Sequence, residues 1–153
     1  MSRRVVAAYE PDAKYNLNRL SNLVPREGFS ALSLVGLLNS TFYNWLFLTR
    51  FFDYEVKPVY LRKSPLPVLG EEFEQLCADR YKATAALPAV SLPSEQTRLH
   101  RKIERLDAQV DDAVFAALGL SIAECELVVS EHDKWWSYGS SEDVLDDDEE
   151  GEG

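Results

Sequence analysis

The chain has 153 residues, 46% of them apolar, which is enough for one domain with a real core and excludes a bare low-complexity segment. Its net charge of −10 is unevenly placed: the last twelve residues, EDVLDDDEEGEG, hold eight of the 26 acids and no base. Residues 1–69 carry nine bases against five acids and residues 70–141 seven against thirteen, so a polyanion meets the first half more readily than the second.

Taken in chain order, RRVVAAYE (3–10) and KYNLNRLSNLV (14–24) are two β-leaning runs separated by Pro11-Asp12-Ala13, which predicts a hairpin. The start, SRRVVAAYEPDAKY, puts charge and proline where a secretory leader has its apolar region. From Gly28 to Thr49 there are 22 uncharged residues, nominally enough to span a membrane. Ser30, Ser33, Asn39, Ser40, Thr41, Asn44 and Thr49 interrupt that stretch on several helical faces, so a core segment is the better reading. Asn39-Ser40 are poor helix-interior residues and good caps, which predicts two helices meeting at a bend, or one kinked helix. Arg50 is expected to pair internally with Asp53 or Glu55. FDYEVKPVYLRKSPLPVL then reads as extended chain, its three prolines excluding regular helix.

From Glu71 the period becomes helical, with Phe73, Leu76/Cys77, Tyr81 and Leu87 on one stripe ended by Pro88. A second, longer helix opens near Ser94 and Thr97. Leu99, Ile103, Leu106, Val110, Val114 and Leu118 form its apolar seam, and Gly119 ends it. The two helices, 71–87 and 95–118, are expected to pair as an antiparallel hairpin. SIAECELVV is a further short helix capped by Ser121, followed by Trp135 and Trp136 and a tail too polar to fold.

Independent active-site chemistry finds no support. There is no phosphate-binding G-x-x-x-x-G-K-[ST], no H-E-x-x-H and no G-x-S-x-G, and the adjacent Asp111-Asp112 diverge by about 100° on a helix, as solvated positions do. Cys77 and Cys125 stand apart, as do His100 and His132, which argues against a zinc site or disulfide scaffold. The cysteines read as packed apolar residues of a protein in a reducing, cytoplasmic interior.

Two blocks carry a likeness to a known family. LVGLLNSTFYNWLFLTRFFDYEVKPVYLRKSPLPV has L-L-N-S at Leu37 to Ser40, an aromatic run from Phe42 to Phe47, a charged segment from Lys57 to Leu61 and P-L-P at Pro65 to Pro67. IERLDAQVDDAVFAALGLSIAECELV adds Val114-Phe115 and Gly119-Leu120-Ser121. Together with KYNLNRLSNLVP they resemble, over residues 3 to 136, the TaqI-like C-terminal specificity domain of adenine-specific DNA methyltransferases and type IIG restriction–modification enzymes.

The expected fold is α+β: a short N-terminal β-hairpin and a bent apolar helix pair, then a helical hairpin and a disordered acidic tail. Its expected divisions are 1–69, a β-rich plus helix part of a DNA target-recognition domain; 70–138, a helical hairpin and short helix completing it; and 139–153, the tail. The resemblance implies sequence-specific duplex binding without catalysis. The chain has no Asn-Pro, so the motif that holds a flipped adenine is missing, and S-adenosylmethionine is expected only in a catalytic methyltransferase or restriction partner.

The residues expected to meet DNA are Arg3, Arg4, Lys14, Asn16, Asn18, Arg19, Lys57, Tyr60, Arg62 and Lys63: cations for phosphates, and Asn and Arg for adenine and guanine edges. Asn39 and Ser40 are expected to hold the helix bend. Two alternatives stay open: a protein-interaction subunit whose helical hairpin docks a separate methyltransferase or nuclease, and a truncated remnant.

Overall fold

The computed structural model describes residues 5–12, 21–26, 29–51 and 56–141, with side chains as far as Trp135. Every regular element among them is helical: α1 Ala31–Asn39, α2 Thr41–Arg50, α3 Pro58–Lys63, α4 Glu71–Ala86, a single 3-10 turn at Leu87–Ala89, α5 Pro93–Leu118 and α6 Ile122–Ser141. The expected α+β fold is therefore wrong, because residues 5–10 and 21–24 form no strand. Residues 14–20 of the expected hairpin lie outside the described residues, as do Asp53 and Glu55, the expected partners of Arg50.

The physical reason for the missing strand lies at the N-terminus. The N–H groups of Val5 and Ala7 are met by side chains of the bent helix pair rather than by a second strand: the Val5 N–H donates to Asn44 Oδ1 at 3.0 Å, and the Ala7 N–H donates to Asn39 Oδ1 at 2.8 Å. Asn39 Nδ2 returns a bond to the Ala7 carbonyl, also at 2.8 Å. Two asparagine amides thus play the part of a neighbouring strand, with the two-residue repeat of a strand edge.

The apolar stretch breaks at Ser40, and α1 and α2 meet at 60°. Ser40 ends one helix and begins the next. Its N–H and its Oγ both donate to the Leu37 carbonyl, at 3.2 and 2.7 Å, while Oγ accepts from the Tyr43 N–H at 3.4 Å. No single described helix is long and apolar enough to cross a membrane, and Leu37, Leu38, Phe42, Tyr43 and Phe47 of the pair are buried inside the protein.

The chain between α2 and α4 is not wholly extended. VKPVYLRK turns once as α3, because Pro58 occupies the first helical position, where its fixed φ suits a helix and its missing N–H leaves no bond unmade. An aromatic stack holds α3 on α2: the Tyr60 ring lies 4.6 Å from that of Phe51 and 5.9 Å from that of Phe47.

The helices α4 and α5 form an antiparallel hairpin, with Arg80 Nε donating to Asp107 Oδ1 at 2.8 Å across it. Of the expected seam, Leu106, Val110 and Val114 are buried and Leu99, Ile103 and Leu118 half-buried. Gly119, at φ 69°, ends α5 in the left-handed conformation that costs glycine least. α6 follows at once through a reciprocal cap: Ser121 N–H and Oγ donate to Glu124 Oε2 at 2.8 and 2.7 Å. At 20 residues α6 is longer than the short helix expected, and takes in 139–141 of the supposed tail; 142–153 lie outside the described residues. It packs on α2, where Trp45 Nε1 donates to Glu131 Oε2 at 2.6 Å.

Candidate nucleic-acid interface

Residues 56–69, VKPVYLRKSPLPVL, contain three bases and no acid. The fold gathers those bases around α3, where Lys57 precedes the helix and Arg62 and Lys63 form its last turn, all three exposed. The exposure follows from Tyr60, whose packing on Phe51 and Phe47 turns one side of so short a helix inward. Tyr60 is half-buried and stacked, with the Lys57 ammonium 5.9 Å from its ring centre. Expected as a DNA contact, it keeps part of its surface exposed while its ring packs on Phe51 and Phe47.

Of the other residues expected at the interface, Arg3, Arg4, Lys14, Asn16, Asn18 and Arg19 lie outside the described residues. Asn39 is exposed and Ser40 buried; Ser40 holds the bend, whereas the Asn39 side chain, expected there too, holds Ala7 of the N-terminal segment. Val5 to Glu10 therefore starts from a fixed point. Tyr9 adds a second anchor, its ring 5.5 Å from that of Tyr81 on α4 and edge-on to it.

Two positioning residues escape a reading of the sequence. Asn44 resembles any polar interruption of an apolar run, yet it is buried and bridges Val5 to the α2 backbone, donating to the Ser40 carbonyl at 3.1 Å. Asp111, expected at a solvated position, reaches instead from α5 to the start of α2. It accepts from the Thr41 N–H at 2.8 Å and from Thr41 Oγ1 at 2.6 Å, capping α2 beside Ser40. No local signal marks that partnership, which spans 70 residues.

Burial is the main influence on the Asp111 carboxyl and raises its pKa above the ordinary value, against the opposing Thr41 hydrogen bonds; Asp107 raises it further and His132 lowers it. A carboxyl whose folded pKa is raised binds its proton more readily in the folded state. Stability attributable to Asp111 therefore rises as pH falls through its folded pKa and is complete below the ordinary Asp value. In urea unfolding at pH 7 and near the ordinary Asp pKa of about 4, D111N should lose that component of the pH slope. D111A, which leaves the Thr41 N–H without its cap, should cost about 1–2 kcal/mol at either pH. An unchanged slope in D111N would remove the assignment.

No group of three or more His, Cys, Asp or Glu side chains that could hold a metal occurs among the described residues. Cys77 is buried, and burial, with help from Glu74 and against Arg80, pushes its thiol up to about 11, so it stays protonated and unreactive at neutral pH. The Tyr43 hydroxyl is buried and has no hydrogen-bond partner among the described residues, and burial raises its pKa as well. What the surface around α3 can do chemically is bind anions.

Comparison with known proteins finds no matching family model, no matching curated protein and no matching solved structure.

Proposed function

We propose that this chain is a DNA target-recognition module of the restriction–modification type. It binds duplex DNA in a sequence-specific way, has no catalysis of its own, and serves a methyltransferase or restriction subunit that carries S-adenosylmethionine. The observation that carries the reading is the acid-free stretch 56–69, which follows the L-L-N-S bend and presents Lys57, Arg62 and Lys63 together on the surface. Guanidinium and ammonium groups in that setting suit phosphate and guanine contacts. The likeness of the L-L-N-S and P-L-P blocks to specificity domains supplies the substrate class.

A second reading, a subunit that docks a catalytic partner, draws on α6. Ile122 and Val129 stand seven residues apart on one face of it, 80% and 41% exposed. In that reading affinity for DNA alone is small.

The test is a selection by the purified chain from randomised duplexes at low salt, followed by titration of the enriched sequence at several salt concentrations. One enriched motif is expected, with log affinity falling linearly against log salt. Changing Arg62 and Lys63 together to alanine should flatten that line by about two in slope. Absence of enrichment, with no binding, would leave the docking subunit as the surviving reading.

A further inference from the structure

The tally of seven bases against thirteen acids for residues 70–141 hides a local reversal. Residues 80–105, the free end of the α4–α5 hairpin, hold six bases and two acids, Glu95 and Glu104. All but one of the bases of that half lie there; 70–79 and 106–141 share only Lys134. Between Arg80 and Ser94, through the end of α4 and the connection into α5, there is no acid at all.

Four of the six bases occupy one face. Arg101, Lys102 and Arg105 follow Arg98 at helical spacings of three, four and seven, all are exposed, and together they line one shallow surface depression with Leu99. The same helix places Leu106, Val110 and Val114 in the core on a different face. The N-terminal half of α5 is thus an arm: residues 93–98 are exposed throughout, and only Leu99 and Ile103 are half-buried. The other two bases are engaged, Arg80 with Asp107 at 2.8 Å and Lys82 with Asp79 at 3.8 Å.

We propose that this face of α5 binds the sugar–phosphate backbone of duplex nucleic acid, as a second contact area separate from α3. The proposal deepens the duplex-binding reading above and rests on it. From Arg98 to Arg105 the helix advances about 10 Å. A duplex carries one phosphate charge per ~1.7 Å of axis, or about six over that length, enough for all four cations to be paired. Three arginines offer forked donors that match phosphate oxygens, and the sequence of the bases does not enter. The dense, regular phosphate charge, matched to four cations within about 10 Å of helix, favours this occupant over an acidic peptide.

The test uses the full chain and a fluorescein-labelled duplex of arbitrary sequence. Variant R98A/R101A/K102A/R105A keeps good helix formers throughout the arm, and circular dichroism checks that it folds. Its affinity at low salt should fall at least about tenfold, and its salt slope should drop by about three to four, one for each contact removed. Lys82→Ala should leave both values unchanged. Duplex should also shield Lys102 but not Lys82 from acetylation, a readout that needs no variant.

A quadruple variant with the parental slope, or equal acetylation of Lys102 with and without duplex, would overturn the proposal. Equally effective competition by polyglutamate at matched charge would also overturn it, in favour of a nonselective anion surface. The two proposals fail separately. Loss of the α5 effect alone, with enrichment and the Arg62/Lys63 effect intact, removes only the arm. An intact α5 effect with no enriched motif removes sequence recognition and leaves a backbone-binding protein.

Discussion

Replacing Gly36 by valine should cost about 3 kcal/mol of folding stability in urea, at the upper end of what overpacking a core does. Gly36 lies in α1 where that helix crosses α4, and a Cβ built on it would collide with Cys77 Sγ, with the Phe73 ring 3.6 Å away on the same side. Cys77 and Phe73 are both buried, 4% and 5% exposed, so the thiol has little room to retreat. Alanine makes the diagnostic comparison. In a helix interior it should gain up to about 1 kcal/mol over glycine, so a net loss on G36A isolates the collision. Adding C77A should restore part of that loss, and the two changes should couple favourably by about 1 kcal/mol. The shielded thiol, unreactive in the parent, should become accessible to a thiol reagent in the valine variant. A G36A protein as stable as the parent, with no coupling to Cys77, would mean that the two helices do not approach so closely.

The second large effect is expected at Asn44. N44A removes the acceptor of the Val5 N–H and leaves that buried donor unpaired, at a cost of about 1–3 kcal/mol. The Ser40 carbonyl is less affected, because it keeps the helical bond from the Asn44 N–H at 3.1 Å. An aspartate substitution sharpens the test. The introduced carboxylate would still accept from Val5, but its second oxygen would face the Ser40 carbonyl where the amide had donated. N44D should therefore be less stable than N44A at pH 7 and regain stability as pH falls, because a buried carboxyl has a raised folded pKa and takes its proton first in the folded state. Hydrogen exchange should show loss of protection at Val5 and Ala7 in both variants. If protection there is unchanged, the asparagine clamp is not what holds the N-terminal segment.

That clamp explains why the N-terminal run looks like half of a hairpin. RRVVAAYE is a β-leaning run, and the N–H groups of Val5 and Ala7 are met with the two-residue repeat of a strand edge, but the partners are Asn44 and Asn39, 39 and 32 residues away. Period two reports which backbone groups point the same way, and is silent on whether a strand or a pair of amides receives them. Pro58 misleads for a related reason: prolines at 58, 65 and 67 argue against a long helix, but one proline at the first position starts a short one.

Much of the helical body needed no structure. The four-and-three spacing from Leu99 to Leu118 describes α5, Gly119 marks its end, and Ser121 marks the start of α6, because caps and apolar faces are local properties of the chain. Asn39-Ser40 located the break for the same reason. What only the tertiary structure decided are the pairings of residues far apart in the chain: Asp111 on Thr41, Gly36 against Cys77, Glu131 on Trp45. The cationic arm of α5 belongs between these classes. Its helical spacing was present in the sequence, but charge summed over 70–141 cancelled it, and the fold separates what the sum combined by leaving this end of the hairpin exposed, away from the buried core. Periodicity is written along the chain; which faces meet, and which are left to solvent, is set by packing in three dimensions.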